Sequence, residues 1–457
     1  MIILNIDYDR VDRSSEIEYV FNQLFCFSGS PVELRFNQYA LNDSQINIEY
    51  RSTQKQHLYY QLRIPEKIIF IDCQTFDRFH SLNLHANTYS YNGVEVYSTE
   101  IECHIGTLEF QSFQNLAFDV VDTIFFHLSR IEEYYADETS LDHHCRMKSS
   151  EQFLVKNNLN LIPIVDSLRT SIFDLLEIKY TFKTSHIMSH DIDSVRKFPS
   201  LNRTFRAFAR VLIKEKSWKK FIATSKLLVK YIITREDPFN TFDFLFKNNF
   251  ASQKFVFFMS GGTTRYDNMY DIRDEIAKDA IRLAEENGYV VGLHPSYAAA
   301  SDFQQFMDEM ETIRSVLGKN VTHSRQHILH YFPDHTHEVI EENKIIWDST
   351  LGYQDIIGFR CGTGCKFQLF NLNTRRVTSV YEQPLVVMDA PLCMMNNNDV
   401  DRAWQFLKQF LSDLPLGTCI TYNFHNTIFS DVNYGRNKMM ELYTNLNKTI
   451  KLLELES

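Results

Sequence analysis

The sequence predicts an α/β protein: a parallel sheet with helices outside it, rolled into a barrel, and preceded by a smaller α/β domain. Two observations carry the prediction. From Lys254 to Tyr353, short apolar runs alternate with amphipathic helical stretches, as βα units that feed a parallel sheet do. Polar residues with catalytic potential stand where successive strand-like runs end, and strand ends are where such barrels collect their functional groups. The boundary falls near residue 180, giving an N-terminal α/β domain over 1–180 and the barrel over 181–457.

In the N-terminal part, YYQLRIPEKIIFID (59–72) reads as a strand, and AFDVVDTIFFHLSRIEEYYAD (117–137) has the apolar face of an amphipathic helix. A second helix, PIVDSLRTSIFDLLEIKY (163–180), leads to a strand in SHIMSHDID (185–193). Beyond it, KFVFFMS (254–260) is a buried-type strand, DIRDEIAKDAIRLAEENG (271–288) a helix closed by Gly288, and YVVGLHPSY (289–297) the next strand. SDFQQFMDEMETIRSVLGK (301–319) is helical again, followed by SRQHILHY (324–331), HTHEVIEENK (335–344) and IIWDSTLGY (345–353).

Composition narrows the function classes. Hydrophobic residues at 44% and aromatic residues at 14% of 457 positions build packed cores and argue against broad disorder. A formal charge of −11 argues against a nucleic-acid partner. The charge is uneven: residues 194–236 hold twelve Lys/Arg and two Glu, with apolar residues interleaved at roughly helical spacing. Such a segment is either a solvated helical hairpin with a basic outer face, or a helix lying on an anionic bilayer or beside an anionic lipid-linked substrate. The first residues lack a basic stretch followed by an apolar run, and no apolar run reaches about 18 residues. A cytoplasmic protein without membrane spans is expected. The eight cysteines are scattered, and reduced core thiols are expected. Cys361 and Cys365 have the spacing of half a zinc site without a second pair. DHHCR (142–146) matches a motif of palmitoyl-transfer enzymes, which are membrane proteins, and reads as accidental.

Asp191 and Asp193 are two residues apart, so on a strand both face one pocket while Ile192 faces away. Like charges that close repel, and a cation or a shared proton keeps them together. Later strand ends offer His294 in GLHPSY, Arg325 and His327 in SRQH, Asp348 in IIWDST, Arg360 in GFRCGT, Asp389 in VVMDAP and His425 in TYNFHN. One such residue is ordinarily a satisfied structural group; a run of them on successive strands points to a site. A carboxylate with two imidazoles holds a divalent cation in an open geometry, and Asp193, His294 and His327 supply that set. Asp191 is then the base that takes a proton from water. Amide hydrolysis also needs a proton for the leaving amine, and His425 is the available donor.

Over residues 184–430 the order of these motifs resembles the polysaccharide deacetylases of carbohydrate esterase family four, the chitooligosaccharide-deacetylase homology domain. The resemblance implies a distorted seven-stranded (β/α) barrel, a divalent metal that is usually zinc, and removal of acetyl groups from N-acetylated sugars. SHDID resembles the spaced variant of the first family motif, which implies Asp191 as base and Asp193 as ligand. Arg360 resembles the arginine that orients the base, Asp389 the aspartate that partners the acid histidine, and His425 that histidine. The second motif departs from the family's His-x-x-x-His, because His294 is followed at that spacing by Ala298. His327 is the expected replacement, with Tyr297, water or the absence of a metal as alternatives. The whole chain also resembles a bacterial subgroup in which an N-terminal α/β domain of unknown role precedes a barrel with HDID, GLHPSY, RQH and GFRCGT-like segments. That second resemblance implies that LSRIEEYYAD and DHHCRM belong to the domain junction.

The expected function is a metal-dependent hydrolase, with Zn2+ as cofactor, that removes an N-acetyl group from a sugar or glycan precursor. Cytoplasmic placement favours a nucleotide- or lipid-linked substrate. Two alternatives stand beside it: a degenerate barrel that binds glycan without cutting it, motivated by Ala298, and an amidohydrolase of a small non-sugar amide. An open groove suits a sugar chain and a closed cup a small amide.

Overall fold

A computed structural model of the chain describes residues 2–26, 32–37, 46–51, 62–65, 84–91, 94–101, 114–115, 119–178, 180, 184–200, 204–205, 208–214, 216–267, 270–415, 417–430 and 434–456. The N-terminal strands are β1 (Ile2–Tyr8), β2 (Val32–Phe36), β3 (Ile46–Arg51), β4 (Leu62–Pro65), the antiparallel pair β5 (Leu84–Tyr91) and β6 (Val94–Ile101), and β7 (Gln114–Asn115). Five of them form a parallel sheet in the order β2-β1-β3-β4-β7. Of the strand expected over 59–72, β4 is the described part, and the remainder lies outside the described residues.

The second sheet holds β8 (Ser185–Ile192), β9 (Gln253–Phe258), β10 (Val290–Leu293), β11 (His323–Ser324), β12 (Trp347–Asp348), β13 (Phe367–Asn371), β14 (Arg376–Glu382), β15 (Val387–Met388) and β16 (Cys419–Asn423). Its order is β13-β14-β12-β11-β10-β9-β8-β16-β15. Neighbours run parallel except the β13–β14 pair. Helices Glu275–Glu286, Phe303–Leu317 and Thr336–Glu342 follow β9, β10 and β11 in turn. Their ends obey local chemistry. For Phe303–Leu317, the Asp302 side chain accepts from Gln305 N at 3.0 Å, and Gly318 closes the helix at φ +66.

The expected α/β class with a parallel sheet is present, but the ladder is open: its end strands β13 and β15 are not paired with each other. The chain between β14 and β15 spans the gap instead. Gln383 N donates to Asp348 O at 2.8 Å and Val386 N to Thr421 O at 3.1 Å. The sheet is nevertheless strongly rolled. Phe255 on β9 and Trp347 on β12 stack at 4.4 Å between ring centroids, although three strand spacings separate these strands, about 14 Å on a flat sheet. Ile187, Phe255, Phe257, Trp347 and Cys419 form a small apolar cluster on this inner face. Gly292 on β10 makes room for it, since a Cβ there would lie 2.7 Å from the Phe257 ring. The outer face joins the N-terminal sheet and helices in one continuous core, from Leu4 and Tyr50 through Phe173 to Ile450.

Two expected elements are cut short by side-chain demands. The helix expected over 117–137 breaks into Val120–Ser129 and Ile131–Tyr134 at Arg130, which takes a left-handed φ of +56. There its buried guanidinium reaches Glu132 at 3.0 Å, Glu133, and the Arg360 carbonyl at 2.7 Å. Arg360 answers with a two-point contact on Glu133 at 2.8 and 2.6 Å. The strand expected at SRQHILHY ends after Ser324, and the chain leaves the extended conformation in a turn where Ile328 and Leu329 both adopt positive φ.

Among the described cysteines no disulfide forms: Cys361, Cys393 and Cys419 are buried and Cys365 half-buried, as expected of core thiols, whereas Cys26 and Cys145 are exposed. Burial pushes the Cys361 thiol up to about 12, which leaves it protonated and a poor metal ligand.

Although burial opposes ionisation of Glu133, Arg130 and Arg360 hold it down at about 2. A depressed carboxyl contributes stability above its unfolded value of about 4.3 and loses it as pH falls toward the folded value. Glu133→Gln should therefore lower the unfolding free energy at pH 7 by about 3–5 kcal/mol, the cost of breaking a buried ion pair. Urea denaturation should show that difference shrinking between about pH 4.3 and pH 2.

Candidate active site

Every residue of the candidate site sits at or just past the C-terminal end of a strand. Asp191 and Asp193 end β8, His294 follows β10, His327 follows β11, Asp389 follows β15 and His425 follows β16. The alternation along β8 decides what each side chain meets. His190 points to the outer layer, where its Nδ1 donates to Phe424 O at 2.7 Å and Tyr289 Oη lies 3.2 Å from Nε2. Burial there lowers its imidazole to about 4, so it is a neutral structural group. Ser189 and Asp191 meet instead on Arg325, whose Nη1 donates to Ser189 Oγ at 2.7 Å and Asp191 Oδ1 at 3.0 Å.

Asp193, His294 and His327 each offer one ligand atom, and these atoms lie within 4.8 Å of one another. The tautomers follow from the far side of each ring. His294 Nδ1 is 2.6 Å from the Arg325 carbonyl, which only accepts, so Nδ1 carries a proton, and in the neutral ring Nε2 presents a lone pair. That lone pair faces Asp193 Oδ1 at 3.2 Å, a buried oxygen without a donor. Two acceptors facing each other need a positive charge between them. His327 repeats the pattern: its Nδ1 is 3.3 Å from Asp267 Oδ1, leaving Nε2 for a ligand. Donor sets of this kind, each imidazole oriented by a carbonyl or carboxylate, fit a divalent cation such as zinc.

The pocket's own charge points the same way. Burial alone would raise the Asp193 carboxyl, but the imidazoles of His425, His294 and His327 hold it well below the usual range. Burial opposes a charged His294, yet Asp191 and Asp193 outweigh it and raise that imidazole. The site draws in positive charge, as a proton or as a cation.

Asp191 accepts from Arg325 through one oxygen and from Asn423 Nδ2 at 2.7 Å through the other. Burial pushes its carboxyl up, but Arg325 and the two nearby imidazoles of His294 and His425 bring it below the ordinary range. His425 Nε2 stands 3.9 Å from both Asp191 Oδ2 and Asp193 Oδ2. Behind it, Asp389 accepts from His425 N at 2.7 Å and from Nδ1 at 2.9 Å. Against the penalty of burial, Asp389, Asp193 and Asp191 hold the His425 imidazole up at about 10, so it carries a proton at neutral pH.

Arg360, expected to orient Asp191, is placed elsewhere. Its guanidinium is committed to Glu133 and to the Gly352 carbonyl at 2.8 Å. Arg325 holds the base-orienting position, and it is completely buried, fixed further by Ser349 O and Ser349 Oγ at 2.8 Å each and lying over the Phe257 ring. Asp348 also stays apart: it takes Ser324 Oγ at 2.5 Å and Thr350 N at 3.0 Å. Burial raises it and its neighbour Glu382, so the pair retains a proton.

Sequence reasoning missed Asp267. It accepts from Tyr297 N at 2.9 Å, Thr264 N at 2.9 Å and Thr264 Oγ1 at 2.8 Å as well as from His327. Against the upward push of burial, these donors lower its carboxyl to about 2. The one local signal is GGTTRYD, because Gly262 at φ +104 lies where a Cβ would come 2.7 Å from both Asp267 Cγ and Ser296 Cβ. Missed too was the role of DHHCRM. Arg146, paired with Asp142, donates to the Ile328 carbonyl, and the His144 carbonyl and His330 Nε2 are 3.0 Å apart. This segment clamps the left-handed turn that presents His327. Two such residues cost about 1–3 kcal/mol each.

Two substitutions test the centre without touching the base. His327→Ala should cut zinc stoichiometry sharply in dialysed protein measured by elemental analysis. Asp267→Asn keeps all three ligand atoms and should weaken zinc affinity by about 10–100-fold in a chelator competition; unchanged affinity would remove Asp267 from the support of His327.

A family model described as a family of unknown function (DUF7033) matches residues 6–181. No curated protein matches the chain. Among solved structures, an inferred polysaccharide deacetylase from Mycobacterium smegmatis is similar at 12% identity over 59% of this chain and 86% of its own, with a TM-score of 0.34.

Proposed function

We propose that the chain is a metal-dependent hydrolase of a carbon–nitrogen amide bond, acting as an N-deacetylase on a sugar or glycan precursor. The observation that carries this reading is the pair of facing acceptors, Asp193 Oδ1 and His294 Nε2 at 3.2 Å, with a carboxylate base on one side and a protonated imidazole on the other. A divalent cation held by Asp193, His294 and His327, zinc in the first instance, supplies a Lewis acid that polarises the amide carbonyl and acidifies water.

The chain's own residues divide the proton work. Asp191, kept ionised by Arg325 and Asn423, accepts the proton of the attacking water. His425, kept protonated and oriented by Asp389, donates to the leaving nitrogen, which as an amide anion is a very poor leaving group. Their side chains stand 3.9 Å apart, a separation that supports action on one scissile bond. Asp191 and His425 thus have acid and base states set apart by their surroundings.

The sugar is supported by the ground next to the site and by the motif order. A cleft of about 440 Å³ is lined by Ser194, the residue after Asp193 in the chain, with Arg196, Pro199, Ser200, Tyr270 and Asp271. An open, polar cleft suits a hydroxylated chain better than a small closed amide. Near His327 in the chain, Tyr297 stacks on His330 at 4.1 Å and meets Tyr266 at 4.4 Å, a half-buried aromatic cluster of the type that packs against sugar rings. His327, whose ligand atom lies within 4.8 Å of those of Asp193 and His294, supports a second imidazole ligand where Ala298 supplies none, and this favours the catalytic reading over a glycan-binding one.

Acetate release from an N-acetylated oligosaccharide tests the assignment. Asp191→Asn should abolish release while the zinc content stays at the wild-type value; loss of zinc would exchange the roles of Asp191 and Asp193. His425→Ala should slow amide cleavage by about 10²–10⁴-fold but spare 4-nitrophenyl acetate, whose leaving group needs no proton. Equal losses on both substrates would argue against the acid role.

A further inference from the structure

The segment after Asp193 carries a surface that the hydrolase reading does not use. Its two ends are tied at a neck by Asp237, whose carboxylate accepts from Lys197 N at 2.8 Å, Phe198 N at 3.3 Å and Phe239 N at 2.9 Å. Beyond the neck the chain forms a π-helical turn, Arg210–Lys214, and the helix Trp218–Thr234. The inner side of the hairpin is already satisfied. Phe221 meets Phe208 at 5.4 Å, Tyr231 meets Phe198 at 5.5 Å, and Thr224 is buried.

The outer side reverses the usual pattern of a surface helix. Trp218, Ile222, Val229, Ile232 and Ile233 are between 51% and 75% exposed. At 3.6 residues per turn they fall on one stripe about 100° wide. Lys226 and Lys230 are exposed along one flank of it. A groove lined by Phe221, Ile222, Ser225, Lys226 and Val229 runs beside the stripe. Phe205 and Ile213, earlier in the hairpin, are about as exposed as Trp218. An apolar patch of this extent on a soluble surface marks an interaction site.

We propose that this hairpin docks on an anionic lipid bilayer, with the helix Trp218–Thr234 lying in the plane of the headgroups. Charge chooses the occupant. In a chain of net charge −11, residues 194–236 hold twelve Lys/Arg against two Glu and no Asp, so this segment is basic in an otherwise acidic chain and suits an anionic surface. A second copy fits less well, because a two-fold contact through this face would set one basic patch against another. A bilayer supplies both complements at once: an apolar layer for Trp218 and the isoleucines, and anionic headgroups for the lysines beside them. No helix among the described residues is long and apolar enough to cross a membrane, so the contact is one of lying on the surface. The neck begins just past Asp193, and Arg196 and Pro199 line a cleft together with Ser194, the residue after Asp193, so the docking segment is continuous in the chain with the strand end that carries the two acids. Binding is read without turnover, so its failure and that of the hydrolase reading are separable.

The test uses the full-length chain with large unilamellar vesicles of phosphatidylcholine alone or mixed with phosphatidylglycerol. Sedimentation at low salt should bring the protein down with the mixed vesicles at least tenfold more strongly than with the neutral ones, and 0.5 M NaCl should reverse it. Trp218 emission should shift to the blue and be quenched by brominated acyl chains, an effect absent from Trp218→Phe. Ile222→Ser combined with Ile233→Ser alters only exposed positions, so it should leave the melting temperature unchanged and weaken binding at least tenfold. Lys226→Glu with Lys230→Glu should do the same. Equal sedimentation with neutral and anionic vesicles, or binding indifferent to both pairs of substitutions, would overturn the proposal. So would a dimer in sedimentation velocity that Ile222→Ser with Ile233→Ser returns to monomer, which would assign the face to a second copy.

Discussion

Two carboxylates carried on one side of one strand, at the enclosed end of a rolled sheet, are the constraint to which the rest of the site answers. Ionised groups taken out of water cost several kcal/mol each unless opposite charge and hydrogen bonds replace the solvent. Asp191 meets that requirement through Arg325 and Asn423. Asp193 meets it only in part, since its Oδ1 stands 3.2 Å from His294 Nε2, a contact that needs a proton or a cation between the two atoms. The protonated His425 stands between the two acids. What is left over is a negative hollow framed by imidazoles whose outer nitrogens are already spoken for, and a divalent cation is the natural complement of such a hollow.

Arg325 joins this electrostatic problem to the packing problem. It lies over Phe257, one of the rings that fill the inner face of the sheet, while its donors reach Ser189, Asp191 and Ser349. Its carbonyl orients His294. One residue therefore fixes the base and the tautomer of a ligand, and it does so from a position with no solvent contact, where a guanidinium keeps a single geometry.

The N-terminal segment is part of the same construction. Arg130 and Glu133 bind the Arg360 loop, and Asp142 with Arg146 secures the turn behind His327. Tyr19 Oη donates to Gln368 O at 2.7 Å, which adds a third tie to the second sheet. Left-handed φ at Ile328 and Leu329 is unfavourable for side chains of that shape. The turn holds because residues far away in sequence grip it, Arg146 at the Ile328 carbonyl and the His144 carbonyl at His330 Nε2. Residues 142–146 thus act on the site through its geometry, without reaching the reacting groups.

Local rules made much of this legible in the sequence. The βα alternation follows from hydrophobic spacing, the end of the helix after β9 from Gly288, and the shared side of Asp191 and Asp193 from the two-residue period of a strand. The basic, apolar-striped hairpin was also legible as a composition, because charge and spacing are properties of the chain. Tertiary structure alone decided the rest. It put Arg325 in place of Arg360 at Asp191, brought Asp267 behind His327, left the ladder open between β13 and β15, and turned the apolar stripe of Trp218–Thr234 outward. These outcomes depend on strand order, on how tightly the sheet rolls, and on which buried charge claims a given arginine first. Each turns on which residues tens to hundreds of positions apart do or do not meet, and no periodicity within a segment encodes it.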